Sequence, residues 1–298
     1  MYPRAFHYHR ANSLHEARAM LAQLGDGAKL LAGGQSLIPL MKLRFANPSH
    51  LVDLNFIPQT SYIRDDGKTL RFGPLTRHAE IESSDAAGKI PILHDCAAGI
   101  ADVQVRNRGT IAGSLAEADP SGDWAVVLAT LSTEVCCLGS AGERTMPLPD
   151  FIKDAYTTAL GHDELVSEVR VKIPPKGSGG AYLAFKRAAP VYPTASVAVQ
   201  LIVEDGDYCR DASIAMGCMG LTAIKAKNAE TALRGRAITE KSIAAAAAAA
   251  RDAADPQTDM RGSAEYKRQL AGSLLRRAIA IAMRRARGEQ VETRHLYA

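Results

Sequence analysis

The sequence predicts an α+β fold that is divided into two domains. A chain of 298 residues exceeds one average domain, and its 47% hydrophobic content is enough for two cores. Apolar residues recur at the spacing of a helix in 264–287 and alternate with polar residues, as in a strand, in 164–173. The segment 174–180 is rich in proline and glycine, which interrupt both kinds of element. We therefore expect a first domain at 1–175, with lobes of about 1–55 and 56–175, and a second at 180–298.

The first lobe is expected to be a small α/β unit. Ser13 and Glu16 have the spacing of a capping box, and Gly25 ends the helical pattern that follows them. A short strand then leads into a Gly-Gly turn, and Pro48 ends the next short helix. The predicted elements are helix 14–24, strand 29–32, helix 37–43 and strand 50–54.

The second lobe begins with short alternating runs that are typical of strands, separated by an Asp-Gly-Lys turn. Apolar segments at helical spacing follow them along the chain. The predicted strands are 62–63, 69–73, 134–139 and 164–173, and the predicted helices are 76–82, 90–101, 123–131 and a helical turn at 150–151.

The second domain is expected to be smaller and also α+β, with a three-stranded sheet and packed helices. Its strand-like runs are 181–187, 196–204 and 209–219, and its helices are the alanine-rich 242–254 and the segment 264–287. Arginines make the last helix basic, which is typical of a solvated face and also suits a subunit contact. These arginines are Arg276, Arg277, Arg284, Arg285 and Arg287.

Composition excludes several classes of protein. The formal charge of +4 is small, and basic and acidic residues are interspersed, so no nucleic-acid partner is indicated. The 5 cysteines include no Cys-x-x-Cys pair, which argues against disulfides, zinc and an iron–sulfur cluster on this chain. His7 and His9 alternate, which is more typical of an exposed strand end than of a metal site, and no metal is expected. Without a signal-like N-terminus or a membrane-length apolar run, a cytoplasmic location and no membrane span are expected.

Two glycine segments are the strongest sign of a binding site. Residues 32–36 and 109–114 each combine glycine with a small hydroxyl residue next to an apolar stretch. Such a backbone can approach an anion closely and turn its N–H groups toward it. Neither segment contains a complete G-x-G-x-x-G pattern, which argues against a classical nicotinamide fold. Together they predict one diphosphate held from two sides.

The sequence resembles the FAD-binding medium subunit of molybdenum hydroxylases, a group that includes carbon monoxide dehydrogenases, bacterial xanthine dehydrogenases and N-heterocycle hydroxylases. The segments that carry the resemblance are 32–36 with 41–44, and 107–114 with 118–120. It extends over nearly the whole chain. The resemblance implies a vanillyl-alcohol-oxidase (PCMH)-type FAD-binding domain of two lobes, followed by a smaller α+β domain.

The resemblance also assigns the FAD contacts. In the glycine segments they are Ala32, Gly33, Gly34, Gln35, Ser36, Leu37, Thr110, Ile111, Ala112, Gly113 and Ser114. The family usually has a second glycine at the position of Ala112 and often asparagine at that of Ser114. Ala112 implies that the site has room for a Cβ at this position. Ser114 can still form a hydrogen bond, although its side chain is shorter than that of asparagine.

Further contacts are implied outside the two segments, each with a structural alternative. Asp123 matches an FAD-contacting aspartate but also suits a helix N-cap, and Asp119 is expected to form a turn. Lys186 would stabilise negative charge on the reduced flavin, or would be an exposed lysine on a strand. Tyr192 would lie against the flavin and restrict access to it, or would be a core or edge aromatic. Val166, or its neighbour Leu165, would pack near the ring.

The function implied by the resemblance is electron transfer within a heterotrimer, itself assembled as a dimer. A large subunit with the molybdenum cofactor oxidises the substrate, and a small subunit with two [2Fe-2S] clusters passes electrons to FAD on this chain and on to an external acceptor. No catalytic residue is expected here, apart from Tyr192 as a candidate for controlling flavin access. The alternatives are a self-contained FAD-dependent oxidoreductase and a scaffold protein that has lost its cofactor.

Overall fold

The first lobe contains a three-stranded parallel sheet in the order β1-β3-β2. The structure is a computed structural model that describes residues 2–188, 190–293 and 296–297. The elements of this lobe are β1 (His7–Arg10), α1 (Leu14–Leu24), β2 (Ala28–Leu31), α2 (Leu37–Leu43) and β3 (His50–Asp53), with a short 3₁₀ turn at Gly25–Gly27. The predicted α/β unit is present, and His7 and His9 lie on its edge strand β1.

The local sequence explains the ends of α1. The Ser13 hydroxyl accepts a hydrogen bond from the Glu16 backbone N–H at 3.0 Å, which caps the first turn. Gly25 then takes a φ of 65°, a conformation in which glycine carries no Cβ penalty, and the helix ends. Ala17 and Leu21 are buried, so α1 presents one apolar face to the core of the lobe.

The second lobe is built on a five-stranded antiparallel sheet in the order β4-β5-β10-β6-β7. Its strands are β4 (Ile63–Asp65), β5 (Thr69–Phe72), β6 (Thr133–Gly139), β7 (Gly142–Pro147) and β10 (Leu165–Lys172), with β8 (Ile152–Asp154) and β9 (Thr157–Thr158) forming a separate pair. Its helices are α3 (His78–Glu82), α4 (Asp85–Gly88), α5 (Pro91–Gly99), α6 (Val103–Arg106), α7 (Ile111–Glu117), α8 (Asp123–Leu128) and α9 (Leu148–Phe151). Trp124, Phe72 and Phe151 are fully buried between these layers.

Several boundaries in this lobe differ from those predicted. The helix expected at 90–101 ends at Gly99, because Ala101 adopts a left-handed φ of 41° that cannot continue it. The second glycine segment is not a turn throughout, since Ile111 and the residues after it form α7. β7 was not predicted, because most of its residues are exposed and polar, so apolar and polar residues do not alternate along it as they do in a half-buried strand.

The second domain has a six-stranded sheet in which β14-β13-β12-β11-β16 are adjacent and β15 pairs with β13. Its elements are β11 (Ser178–Lys186), β12 (Ala195–Glu204), β13 (Tyr208–Gly217), β14 (Ile224–Lys225), α10 (Lys227–Leu233), β15 (Arg236–Ala237), α11 (Glu240–Ala253), α12 (Ala264–Ala286) and β16 (Leu296–Tyr297). The three predicted strands form its centre. The sheet has three more strands than predicted, namely β14, β15 and β16. Each is two residues long, which is too short for a hydrophobic pattern that would predict a strand.

A buried ion pair connects the two domains. The Arg285 guanidinium on α12 donates to the Asp95 carboxylate on α5 at 2.6 Å, and their side chains are 7% and 0% exposed. Asp95 also accepts from the backbone N–H of Tyr182 at 3.1 Å. Arg285 therefore departs from the solvated face that the basic helix predicted. The bond from Tyr182 to Asp95 attaches β11 of the second domain to α5 of the second lobe.

Candidate functional site

A cleft of about 810 Å³ lies where the two lobes and the second domain meet. Ligand-binding clefts typically have volumes of about 300–1,000 Å³. The cleft is lined by all of the predicted contact residues except one: Ala32, Gly33, Gly34, Gln35, Ser36, Leu37, Thr110, Ala112, Gly113, Ser114, Asp123, Val166, Lys186 and Tyr192. Ile111 is the exception, because its side chain packs in the core and its N–H donates to Thr76 O at 3.1 Å.

The first glycine segment leaves a row of backbone donors without acceptors. It follows β2 and includes Gly34, which has a φ of 74° that favours glycine. Within the described part of the chain, none of the backbone N–H groups of 32–36 donates to a protein acceptor. These residues line the cleft, and neighbouring backbone N–H groups that face one space can together bind an anion.

The second glycine segment is shaped by a helix cap. Thr110 is the N-cap of α7, and its hydroxyl oxygen accepts a hydrogen bond from the Gly113 N–H at 3.1 Å. Among the described residues, no acceptor takes the N–H groups of Thr110 and Ala112. The Thr110 hydroxyl therefore holds the first turn of α7, in addition to the FAD contact that the resemblance assigns to this residue. Ser114 lies one residue farther along the same wall of the cleft.

The two glycine segments touch each other. A Cβ on Gly33 would lie 2.4 Å from the carbonyl oxygen of Arg108 and 2.7 Å from the Cα of Gly109. Both atoms belong to the backbone, which cannot move aside like a flexible side chain. Glycine is therefore required at position 33 for the two segments to lie side by side.

Two residues that the sequence analysis did not identify bridge these segments. Asn55 donates through Nδ2 to Ala32 O at 2.8 Å. The Arg77 guanidinium donates both to Asn55 Oδ1 and to Arg108 O. Their positions just after β3 and just before α3 give no local motif, so only the tertiary fold brings them together.

The residues of this cleft fit a ligand with a diphosphate group, such as FAD. The free N–H groups come from both glycine segments, and these segments are in contact at Gly33. Hydrogen bonding by such groups needs no basic side chain. Accordingly, Arg106 is used elsewhere, donating to Glu82 at 2.9 Å and to Ile100 O at 3.1 Å.

Asp123 is buried on the wall of the cleft. It is 6% exposed and occupies the first position of α8, where Gly122 is the N-cap residue. The predicted N-cap role is therefore wrong. Its carboxylate instead accepts a hydrogen bond from the Tyr182 hydroxyl. Burial and this carboxylate raise the pKa of Tyr182 well above its ordinary value, so the tyrosine remains a donor.

Lys186 lies at the end of β11 and is also buried. It is 1% exposed, and its ammonium group donates to the carbonyl oxygen of Gly99. The alternative of an exposed lysine on a strand is therefore wrong. A buried cation on the cleft wall favours negative charge on whatever lies beside it. Val166, together with Leu165, contributes an apolar part of the same cleft from β10.

Tyr192 stands at the mouth of the cleft. The residue is 46% exposed, so the alternative of a core aromatic is wrong, whereas that of an edge aromatic stays a prediction. Desolvation of the hydroxyl and the nearby Asp119 carboxylate raise its pKa. The Arg261 guanidinium lies 5.9 Å from the ring centroid and donates to Pro193 O at 3.2 Å. Asp119 forms the expected turn by accepting from the Ser121 N–H at 2.8 Å.

Comparison with known proteins agrees with the geometry of the cleft. Residues 4–175 match the family described as the FAD binding domain in molybdopterin dehydrogenase, and residues 180–282 match the CO dehydrogenase flavoprotein C-terminal domain. The chain is 39% identical to the carbon monoxide dehydrogenase medium chain of Hydrogenophaga pseudoflava, over 96% of this chain and 99% of that protein.

Two other relatives extend the comparison. The 6-hydroxypseudooxynicotine dehydrogenase complex subunit alpha of Paenarthrobacter nicotinovorans is 39% identical, over 96% of this chain and 97% of that protein. A solved structure of carbon monoxide dehydrogenase from Hydrogenophaga pseudoflava, in a form lacking the Mo-pyranopterin moiety, superimposes with a TM-score of 0.93 and 41% identity. That match covers 96% of this chain and 99% of the compared one. The chain thus belongs to the FAD-binding medium subunits of carbon monoxide dehydrogenase-type molybdenum hydroxylases, as the sequence resemblance predicted.

Proposed function

We propose that this chain is the electron-transfer subunit of a heterotrimeric molybdenum hydroxylase. It would receive electrons from two [2Fe-2S] clusters on a small subunit and deliver them through FAD to an external acceptor. Substrate oxidation would take place at the molybdenum cofactor of a large subunit. The observation that carries this proposal is the pair of touching glycine segments whose free N–H groups line one cleft.

The residues of this chain would bind and orient the cofactor. The N–H groups of 32–36 and those of Thr110 and Ala112 would hold the diphosphate of FAD. Lys186 would place a positive charge beside the redox-active ring, and Val166 would supply apolar contact. FAD, when bound, would supply the redox chemistry.

Asp123 and Tyr192 would complete the site. Asp123, whose carboxylate accepts a hydrogen bond from the Tyr182 hydroxyl, would contact the FAD from the wall of the cleft. Tyr192 would restrict which molecules reach the flavin, since it is half exposed at the mouth of the cleft. This placement at the entrance supports a role in access rather than in proton transfer.

We also propose the domain division and assembly that the sequence suggested. Residues 1–175, with lobes meeting near 55, would form the FAD-binding domain, and 180–298 would form the second domain. The complex would be a dimer of heterotrimers.

A cytoplasmic location is supported by the buried, free thiols of Cys96, Cys136, Cys137 and Cys209, because disulfides are rare in reducing compartments. In the described residues, no helix is both long and apolar enough to cross a membrane.

The test is to purify this chain from its native cell with whatever binds it, and to record the visible spectrum with subunit and metal analysis. We expect flavin and iron–sulfur absorption, two further polypeptides, and molybdenum. Flavin on a lone polypeptide that turns over a substrate would instead support the self-contained oxidoreductase. A folded chain without flavin would favour the cofactor-free scaffold.

A further inference from the structure

His78 lines the cleft but is not one of the FAD contacts that the resemblance assigned. It is the first residue of α3, is 5% exposed, and lines the cleft together with Gly109. A Cβ on Gly109 would lie 2.6 Å from His78 Nε2, so the Nε2 edge of the ring lies directly against the second glycine segment. The imidazole therefore sits next to the point where the two glycine segments meet.

The other ring nitrogen of His78 has a fixed partner. The indole N–H of Trp124, a fully buried residue, donates to His78 Nδ1 at 3.0 Å. An indole nitrogen can only donate, so Nδ1 must act as an acceptor and carry no proton. In a neutral imidazole the proton is then on Nε2. Within the described residues, Nε2 has no hydrogen-bond partner in the protein.

The surroundings also keep the ring neutral. Burial, and after it the positive charges of Arg77 and Arg106, lower the pKa of His78 to about 3. A protonated ring would need to donate at Nδ1, where the Trp124 N–H already points. The geometry at Nδ1 and the charges nearby thus favour the same state of the ring.

We infer that His78 is a neutral hydrogen-bond donor of the cofactor site, with Trp124 holding its proton at Nε2 so that the N–H faces the group bound between the glycine segments. This inference rests on the proposed FAD function and adds a side-chain donor to the backbone N–H groups that would hold the diphosphate. A neutral donor that is always protonated at the required atom supports an anionic oxygen without a counter-charge. Trp124 is a positioning residue in this arrangement, because it acts only through His78.

The direct test is ¹⁵N NMR of the histidine rings in the full chain, with and without FAD. We expect His78 to be neutral with its proton on Nε2, and its Nε2 signal to shift when FAD binds. In Trp124→Phe the preference between the two ring nitrogens should be lost. A proton on Nδ1 in the wild type, or a ring signal unaffected by FAD, would overturn the inference.

Affinity provides the second test, using FAD titrations of His78→Phe and His78→Gln. Loss of one hydrogen bond to an anionic group should weaken FAD binding about tenfold in His78→Phe. His78→Gln, which can place an N–H near the position of Nε2, should remain within about threefold of the wild type. Circular dichroism and thermal unfolding of both variants establish that they fold.

The outcomes separate this inference from the proposed function. A wild-type chain that binds FAD while a folded His78→Phe binds it equally well would contradict the inference alone. A folded wild-type chain that binds no FAD would contradict the proposed function and, with it, the inference.

Discussion

At the scale of single residues, the two glycines of the first segment serve different purposes. Gly34 has a φ of 74°, which residues with a Cβ rarely adopt. At position 33 there is no room for a Cβ, because it would lie 2.4 Å from Arg108 O. A conformational requirement can be inferred from a Gly-Gly turn in the sequence. The spatial requirement could not be inferred, because the backbone it concerns is distant along the chain.

Gly33→Ala should therefore separate the glycine segments and weaken FAD binding. An added methyl that meets backbone costs about 1–3 kcal/mol, which corresponds to roughly fivefold or more in FAD affinity if the segments move apart. The measurement is a FAD titration of the folded variant. Gly88→Ala is the matched control, since a Cβ there would meet nothing within 4 Å. Equal affinities of the two variants would remove the contact at Gly33 from the site.

Tyr192→Ala should change how fast the reduced complex reacts with acceptors while leaving FAD bound. The reason is its position at the cleft mouth, where the ring is 46% exposed and flanked by Arg261. Stopped-flow reoxidation of the complex is expected to become severalfold faster with small acceptors. Tyr208→Ala is the control, because that tyrosine is 43% exposed and does not line the cleft. Unchanged rates in Tyr192→Ala would assign this tyrosine to packing.

At the scale of elements, one residue just after β3 and one just before α3 hold the two glycine segments together. Asn55 donates to Ala32 O at 2.8 Å, and Arg77 joins Asn55 to Arg108 O. The two ends of this bridge are backbone carbonyls, that of Ala32 in the first glycine segment and that of Arg108 just before the second, so the bridge restricts the relative motion of the segments before a ligand arrives. Such preorganisation increases affinity by lowering the ordering cost on binding.

Asn55→Leu should accordingly weaken FAD binding by about tenfold, since it breaks the bridge and leaves the Arg77 guanidinium without one acceptor. The affinity is measured by titration calorimetry. Asn47→Leu serves as the control, because Asn47 makes a similar bond, to Arg44 O at 2.9 Å, outside the cleft lining. Should both variants bind FAD like the wild type, the bridge contributes to stability only.

A second element-scale feature is the buried carboxylate of Glu168 on β10. Burial acts to raise its pKa, but hydrogen bonds from Arg71, Arg170 and Tyr62 outweigh that effect and lower the pKa below its ordinary value of 4.5. The folded state therefore favours the ionised form more than the unfolded chain does. The resulting stability is complete above the unfolded pKa and is lost as the pH falls through the folded pKa.

Glu168→Gln should lower the free energy of unfolding at pH 7 by about 1–2 kcal/mol, a value reduced because Arg71 and Arg170 are partly exposed. The difference from the wild type should shrink as the pH is lowered below 4.5, the unperturbed value for this residue. Urea unfolding over this pH range measures both quantities. A difference that stays constant with pH would show that ionisation of Glu168 does not contribute.

At the scale of the whole molecule, the Arg285–Asp95 pair fixes the second domain against the second lobe. Arg285→Met would leave a buried carboxylate without its cation, which typically costs about 3–5 kcal/mol. The same substitution combined with Asp95→Leu should cost less than the two single changes added together. Urea unfolding of the four proteins measures this coupling. Additive effects would indicate that the pair does not act as a unit.

The sequence predicted the architecture and family well, because long periodic segments and two glycine motifs carry local signals. The helix at 14–24 and the strands at the centre of the second sheet are examples. The residues that were missed, Asn55, Arg77 and His78, act through partners that are distant in sequence. The burial of Arg285 was not predicted for the same reason, since a basic helix face gives no sign that Asp95 lies opposite one of its arginines.

The central claim is that one FAD lies in the cleft between the two glycine segments, and the number of FAD molecules bound per chain tests it most directly. The measurement is an absorbance titration of the folded, flavin-free chain. We expect saturation at one FAD per chain in the wild type, with clearly weaker binding in Gly33→Ala and wild-type binding in Gly88→Ala. A folded wild-type chain that takes up no FAD, or a Gly33→Ala variant that binds like the wild type, would contradict this account of the cleft.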